Sequence, residues 1–385
     1  MKIAMIGQKG IPTVYGGVEK HVQELAVRLV INSGYDVIAY TRPWYTSKNK
    51  KMYQGVRLQS LPSLKTKHFD AITHTFMAIV HAAFKEKVDV FHIHAVGPAL
   101  LAWLPRVLRP KAKVIVTFHC SDRQHQKWGF VARMMLWLGE LSATKFPHEV
   151  ITVSKTLKDY CYEVFKRTTN YIPNGITAVQ PVEASMIEQK FGLKKNEYIV
   201  MIARLVRHKG AHHLIEAYRK LKTDKKLVIV GGSAFTDDYV QELHDLANDD
   251  ENIIFTGNQT GRVLEELFSN AYLYVLPSES EGLPIALLEA GSYGKALLAS
   301  DIPANMEIVR ECGLSFKNAN VMDLANQLQY MIDNPEMVEA NGKAARKYVM
   351  KNYLWDDVAQ ETMNLYESVI EVSPANKPYL VKSNA

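Results

Sequence analysis

Short apolar runs rich in Val, Ile and Leu recur along this chain, and most are followed by a stretch of helical apolar periodicity. In the first part the strand-like runs are Lys2–Ile6, Asp36–Thr41, Gly55–Leu61, Val88–His94, Lys113–Phe118 and Glu149–Val153. Helical stretches fall between them at Glu19–Asn32, Phe69–Lys85 and Pro98–Leu108, and Ser154 is placed to cap another that reaches Phe165. The plan restarts at Tyr198–Ile202 and continues through Lys226–Val230, Asn252–Thr256, Ala271–Leu276 and Ala296–Ala299. A repeated strand–helix series folds as a parallel sheet covered on both faces, with ligands beyond the carboxyl ends of the strands. A chain of 385 residues is long for one core and natural for two. The expected fold class is therefore α/β, with two Rossmann-like βαβ domains.

The motifs sit at strand ends. Ser278–Glu281 forms an acidic loop after the run ending at Leu276, and a helix is predicted from about Pro284 to Tyr293. A helix N-terminus there attracts anions. Glu281 and Glu289 are eight positions apart, a helical rise of roughly 12 Å. Carboxylates serving one glycosidic bond sit roughly 5–9.5 Å apart, so this pair suits two points on one elongated ligand. A helix cap plus a surface glutamate explains the spacing equally well. Arg204 and Lys209 bracket a loop after Ile202, where two cations would balance a diphosphate. Near the N-terminus, Gly7, Gly10, Gly16 and Gly17 form a glycine-rich loop between a strand and a helix, a phosphate-cradle geometry. It is not G-x-G-x-x-G, and the second strand ends in Arg42 rather than an acid, which argues against a nicotinamide enzyme. His94 and His119 both follow strands; His92 and His94 form a pair with no third metal ligand evident in the sequence.

Taken in order, these residues resemble glycosyltransferase family 4, the retaining glycosyltransferases of the GT-B fold. Glu281 to Glu289 resembles the family's E-x7-E signature, Arg204 and Lys209-Gly210 its R-x4-K-G element, and Tyr15-Gly16-Gly17 its Gly-Gly loop. The longer GxxGIPxxYGGVE form resembles a subset of bacterial surface-polysaccharide transferases, some of which transfer rhamnose. The resemblance runs from Met1 to about Ile370. It implies two domains facing across a cleft: an acceptor-binding domain at 1–180, a donor-binding domain at 181–355, a helix at 356–371 crossing back to the first domain, and a loose tail at 372–385. It implies that His119 and Glu281 lie beside the donor sugar as the catalytic pair. Gly16, Gly17, Arg204, Lys209, Leu283 and Pro284 would hold the donor diphosphate, and Glu289 the ribose. The loops at Gly231 and Gly257 would take the base through main chain. Asp122 and Arg123 are candidate acceptor contacts. Ser300–Glu307 resembles the family's SDIP loop, with Glu307 structural.

No metal or other cofactor is expected: Asp-x-Asp occurs nowhere, and the fixed cations replace a divalent ion. The partners expected are a nucleotide-diphosphate sugar and a saccharide or lipid-linked saccharide, with no nucleic acid, since no reading motif accompanies the basic residues. The net charge of +6 hides an asymmetry, because residues 1–175 carry 25 Lys+Arg against 11 Asp+Glu and the remainder 21 against 29. A basic half suggests an anionic membrane, a lipid pyrophosphate or nucleic acid; scattered solubilising lysines are the alternative. Lys127–Leu141 is apolar and aromatic at helical spacing, which suits either core or a surface dipping into lipid. No apolar run spans a bilayer, no signal peptide is read, and the three cysteines are widely spaced. A cytoplasmic protein, peripheral on the inner face of the membrane, is the expectation. Another GT-B nucleotide-sugar enzyme, such as an epimerase or phosphorylase, or a non-catalytic binding module, are the rival readings.

Overall fold

The computed structural model describes residues 1–385 apart from 65, 67–68, 122–129, 235 and 372–385. Two sheets form, as the two apolar series require. In the first, β1 (Lys2–Ile6), β2 (Asp36–Thr41), β3 (Met52–Tyr53), β4 (Val56–Ser60), β5 (Val90–His94), β6 (Lys113–Phe118), β7 (Glu149–Thr152) and β8 (Asn170–Tyr171) are ordered β3-β4-β2-β1-β5-β6-β7-β8. The second holds β9 (Tyr198–Ile202), β10 (Lys226–Val230), β11 (Ile253–Gly257), β12 (Leu273–Leu276), β13 (Ala296–Ser300) and β14 (Leu314–Phe316), ordered β11-β10-β9-β12-β13-β14. All pairings are parallel except the β3/β4 hairpin, where Gln54 and Gly55 turn the chain at positive φ. Ile3, Met5, Val200, Val228, Val275 and Leu298 are fully buried, as central strands covered on both faces demand.

Several boundaries differ from the sequence expectation. The stretch Phe69–Lys85 is an α-helix, Asp70–His81, running into a π-helical turn, Ala82–Glu86. Pro98–Leu108 is not one helix; it divides into Val96–Ala99 and Leu104–Leu108, the second opening with Pro105 in its first turn. Pro284 is the residue before the helix Ile285–Ser292, not its first residue, because its ψ of 109° is extended. The SDIP segment is not wholly a loop: Pro303 opens a helix, Pro303–Cys312, that carries Glu307.

The last helix, Trp355–Glu371, crosses back onto the first domain as expected. Arg28 Nε donates to Asp356 Oδ1 at 2.7 Å, Tyr35 Oη to Glu367 Oε1 at 2.6 Å, and Val358, Met363 and Tyr366 join the core beside Val22, Leu25 and Leu29. Trp355 is 1% exposed and lies against Gly175, so the crossing is anchored where the first domain ends.

In each sheet the chain reverses its winding direction once, between β1 and β5 in the first and between β9 and β12 in the second. Crevices open beyond the strand ends at such switch points. The strand ends concerned lead into Gly7, His94, Ala203-Arg204 and Pro277-Ser278, so the fold brings the sequence motifs to the four loops best placed to hold a ligand.

Candidate active site

The two sets of loops touch. Gly282 packs so closely on the His119 carbonyl that a Cβ would overlap it, which explains a glycine directly after Glu281. A second junction is Asn174, from the Pro-Asn-Gly turn closing the first domain. Its Nδ2 donates to the Leu283 carbonyl at 2.7 Å, while its Oδ1 lies 2.9 Å from His21 Nδ1. His119, Glu281, Leu283 and His21 therefore share one floor between the domains.

Charge is concentrated on the same floor. Lys209 is ion-paired with Glu281, and both side chains are largely buried. Arg204 lies close enough to the first domain that its charge acts on Lys9 and Tyr15, where Arg42 also acts. Burial is the main cause of the lowered pKa of Lys9, opposed by Glu19, with Arg204 and Arg42 adding to the depression. Arg42 is itself held by Asp70 at 2.9 Å. Three cations from three loops therefore lie close enough to act on one another, Lys9 after β1, Arg42 after β2 and Arg204 after β9, while Lys209 is the cation paired with the acidic loop. Such a constellation stabilises a polyanion without a mobile counter-ion. Glu289, on the helix Ile285–Ser292, faces the first domain, where Lys20 Nζ approaches it at 3.9 Å. Burial pushes its carboxyl up, and Lys20 opposes that shift. Glu281 and Glu289 thus have separate basic partners, Lys209 and Lys20.

Beneath lies a stack of imidazoles. His94 Nδ1 is 3.2 Å from His119 Nε2, and His21 meets the His119 ring edge-on at 4.8 Å between centroids. His92 stacks on His94 and bonds Thr117 Oγ1 at 2.6 Å and Tyr366 Oη, on the crossing helix, at 2.5 Å. Burial lowers the pKa of all four, that of His21 to about 4, so they are neutral at pH 7. The sequence offered His94 no third ligand; the fold supplies one. His21, His94 and His119 present ring nitrogens within 4.8 Å of one another, as do His212, His213 and a Glu279 carboxylate. Either group has donors suited to a divalent transition metal.

Of the other sequence-named residues, Gly16 precedes the helix Gly17–Ser33 at φ 110°, and a Cβ on Gly17 would lie 3.9 Å from Ile285 Cδ1 across the domain junction. Gly231 N donates to Gly257 O at 3.0 Å, so the two candidate base loops are joined through main chain. Glu307 is structural in a specific way. Its carboxylate accepts from Lys155 N at 3.0 Å and Thr156 N at 2.8 Å, capping a first-domain helix, Lys155–Phe165, from the second domain. Asp122 and Arg123 lie outside the described residues. Sequence reasoning missed Lys9, Arg42, Asn174 and His21. His21 had a usable signal: it stands four residues before Leu25 on the buried face of its helix. Lys9 and Arg42 had none, because only the β1–β2 pairing brings them together.

The family model described as glycosyl transferases group 1 matches residues 184–348, and that of glycosyltransferase family 4 matches residues 15–179. The alpha-maltose-1-phosphate synthase of Mycobacterium tuberculosis is 25% identical over 399 residues, covering 96% of this chain and 100% of its own. The N,N'-diacetylbacillosaminyl-diphospho-undecaprenol alpha-1,3-N-acetylgalactosaminyltransferase of Campylobacter jejuni is 28% identical over 196 residues, 50% of each chain. Anabaena HepE, solved with UDP-glucose, superposes with a TM-score of 0.80 at 18% identity, covering 96% of this chain and 100% of that one.

Proposed function

The chain belongs to glycosyltransferase family 4, with the GT-B fold, and from that premise we propose that it moves a hexose or deoxyhexose from a nucleotide-sugar donor, with retained anomeric configuration, onto a saccharide or lipid-linked saccharide of a bacterial surface polysaccharide. The observation that carries the chemistry is the pairing of Lys209 with Glu281 at the domain junction, with Arg204 near enough to the first domain to act on Lys9 beside Arg42. Departure of a nucleotide diphosphate concentrates negative charge, and fixed cations stabilise that charge as it develops. Arg204 and Lys209 hold the diphosphate, with Lys209 exchanging its Glu281 partner for phosphate oxygen. The loop at Gly16 and Gly17 and the backbone at Leu283 and Pro284 approach the same group. Glu289 takes the ribose, and the main chain at Gly231 and Gly257 takes the base.

Glu281 and His119 then flank the sugar. His119 is neutral and stands against His94, which suits a hydrogen-bonding contact to a hydroxyl rather than a counter-charge. The leaving diphosphate takes the acceptor proton, so the site needs no strong enzymic base. The lipid-linked acceptor rests on likeness to the Campylobacter transferase, whose name specifies a diphospho-undecaprenol substrate. The reading includes no metal requirement, the cations above replacing a divalent ion.

The test is transfer itself. Incubation with UDP-, GDP- and dTDP-sugars and a diphospho-polyprenyl saccharide should lengthen the acceptor by one sugar, read by mass spectrometry. An α-linked donor should give an α-linked product by NMR, with undiminished rate in EDTA. An inverted product would reject the retaining reading, and EDTA-abolished activity restored by added metal would reject the metal-free one.

A further inference from the structure

The large apolar side chains left at the surface are concentrated on one layer. Phe76, Phe84, Trp103, Val107, Met134 and Trp137 are 41–64% exposed. Trp103 directly precedes Leu104–Leu108, and the others sit on four elements of the first domain: Asp70–His81, Ala82–Glu86, Leu104–Leu108 and Phe130–Lys145. The first three pack side by side, and Arg106 Nη1 joins them to the end of the fourth by donating to Phe146 O at 3.0 Å. Ala78, Ile79, Ala82, Leu104 and Ala143 are buried in the core beneath, so the exposed set is the outer side of one sheet-covering layer. The opposite layer of the same domain, Gly17–Ser33 with Trp355–Glu371, leaves only Ile31 comparably exposed, and the second domain only Met322 and Tyr330, among the described residues.

Charge on this layer has one sign. Lys85, Arg106, Arg133 and Lys145 are exposed among the apolar side chains and have no carboxylate partner among the described residues. The acids of the same elements are engaged elsewhere: Asp70 with Arg42 at 2.9 Å, Glu86 with Arg57 at 2.9 Å, and Glu140 with Tyr160 at 2.8 Å. A second copy of the chain would set this cationic face against itself in a two-fold contact. Aromatic and aliphatic side chains interspersed with exposed cations fit an anionic bilayer, whose acyl boundary takes the rings while long basic side chains reach the headgroups. We propose that this layer docks the first domain on an anionic phospholipid surface. The proposal goes beyond the transfer reaction and stands or falls separately from it.

Sedimentation of the full chain with vesicles tests it. Binding is expected to phosphatidylcholine vesicles containing phosphatidylglycerol, to weaken with salt, and to be small on phosphatidylcholine alone. Combined K85A, R106A and K145A should lower the partition coefficient about fivefold per cation. Combined F84S and V107S should lower it about tenfold per side chain, with an unchanged melting temperature because both positions are mostly exposed. Nucleotide-sugar affinity should be unchanged in both variants. No binding of the wild-type chain to anionic vesicles, or binding unaffected by both variants, would overturn the proposal. So would lipid-free self-association abolished by combined F84S and V107S, which would assign the face to a second copy.

Discussion

At the scale of single residues, the proposed site sets anchoring cations, Arg204 and Lys209, against the acid paired with Lys209, Glu281. Arg204→Ala should weaken nucleotide-sugar affinity and lower the transfer rate. Glu281→Ala should lower kcat about 10²–10³-fold, the range for one lost transition-state contact. Steady-state kinetics with calorimetric donor binding checks both, and full rate and affinity in both variants would reject the assigned roles. Glu281→Ala should also lower the melting temperature, because it leaves a largely buried Lys209 without its carboxylate. Arg204, Lys209, Glu281 and Glu289 were legible in the sequence because each is a charge at a fixed offset from a strand or helix end. Lys9, Arg42 and His21 were not, since their relevance depends on which strands lie side by side. The partners of His94 were hidden for the same reason: His119 and His21 arrive from a neighbouring strand and a helix.

At the scale of elements, the strand–helix alternation made nearly every central strand readable. What it could not give was the short edge pieces, β8 and β14, and the helix Pro303–Cys312. The first two are too brief for a period to register, and the third hides behind a turn-like Asp-Ile-Pro. That helix matters because its Glu307 reaches across to cap Lys155–Phe165. Glu307→Ala should lower stability by about 1–2 kcal/mol, the usual loss for a cap, measured by urea unfolding. An unchanged midpoint would show that the cap contributes nothing. Gly282 is a second inter-element contact. Gly282→Ala has no room against the His119 carbonyl and should force the acidic loop away from the first domain. The expected outcome is a fall in kcat larger than any change in donor affinity, and a variant with wild-type kcat would contradict the close approach.

At the scale of the whole molecule, the histidine stack couples the crossing helix, through Tyr366 and His92, to the floor of the cleft. These imidazoles are buried and neutral in the folded chain, whereas an unfolded histidine titrates near 6.5. Between about pH 6.5 and 4 the unfolded chain therefore binds more protons, and stability should fall as pH falls through that window. His21→Gln should flatten the slope, because it removes one group whose pKa drops to about 4 on folding. Urea unfolding of both proteins across that range checks it, and identical slopes would contradict it. If fixed cations build the proposed nucleotide-sugar site of this double-domain fold, donor binding depends on Arg204 and on no metal. The most direct measurement is thermal unfolding with UDP-, GDP- and dTDP-sugars, with and without EDTA, in the wild-type chain and Arg204→Ala. A ligand that binds only the folded state raises its melting temperature by mass action. The expected result is a rise with one sugar nucleotide, unchanged by EDTA and lost in Arg204→Ala. A rise that persists in Arg204→Ala, or no rise with any donor, would contradict it.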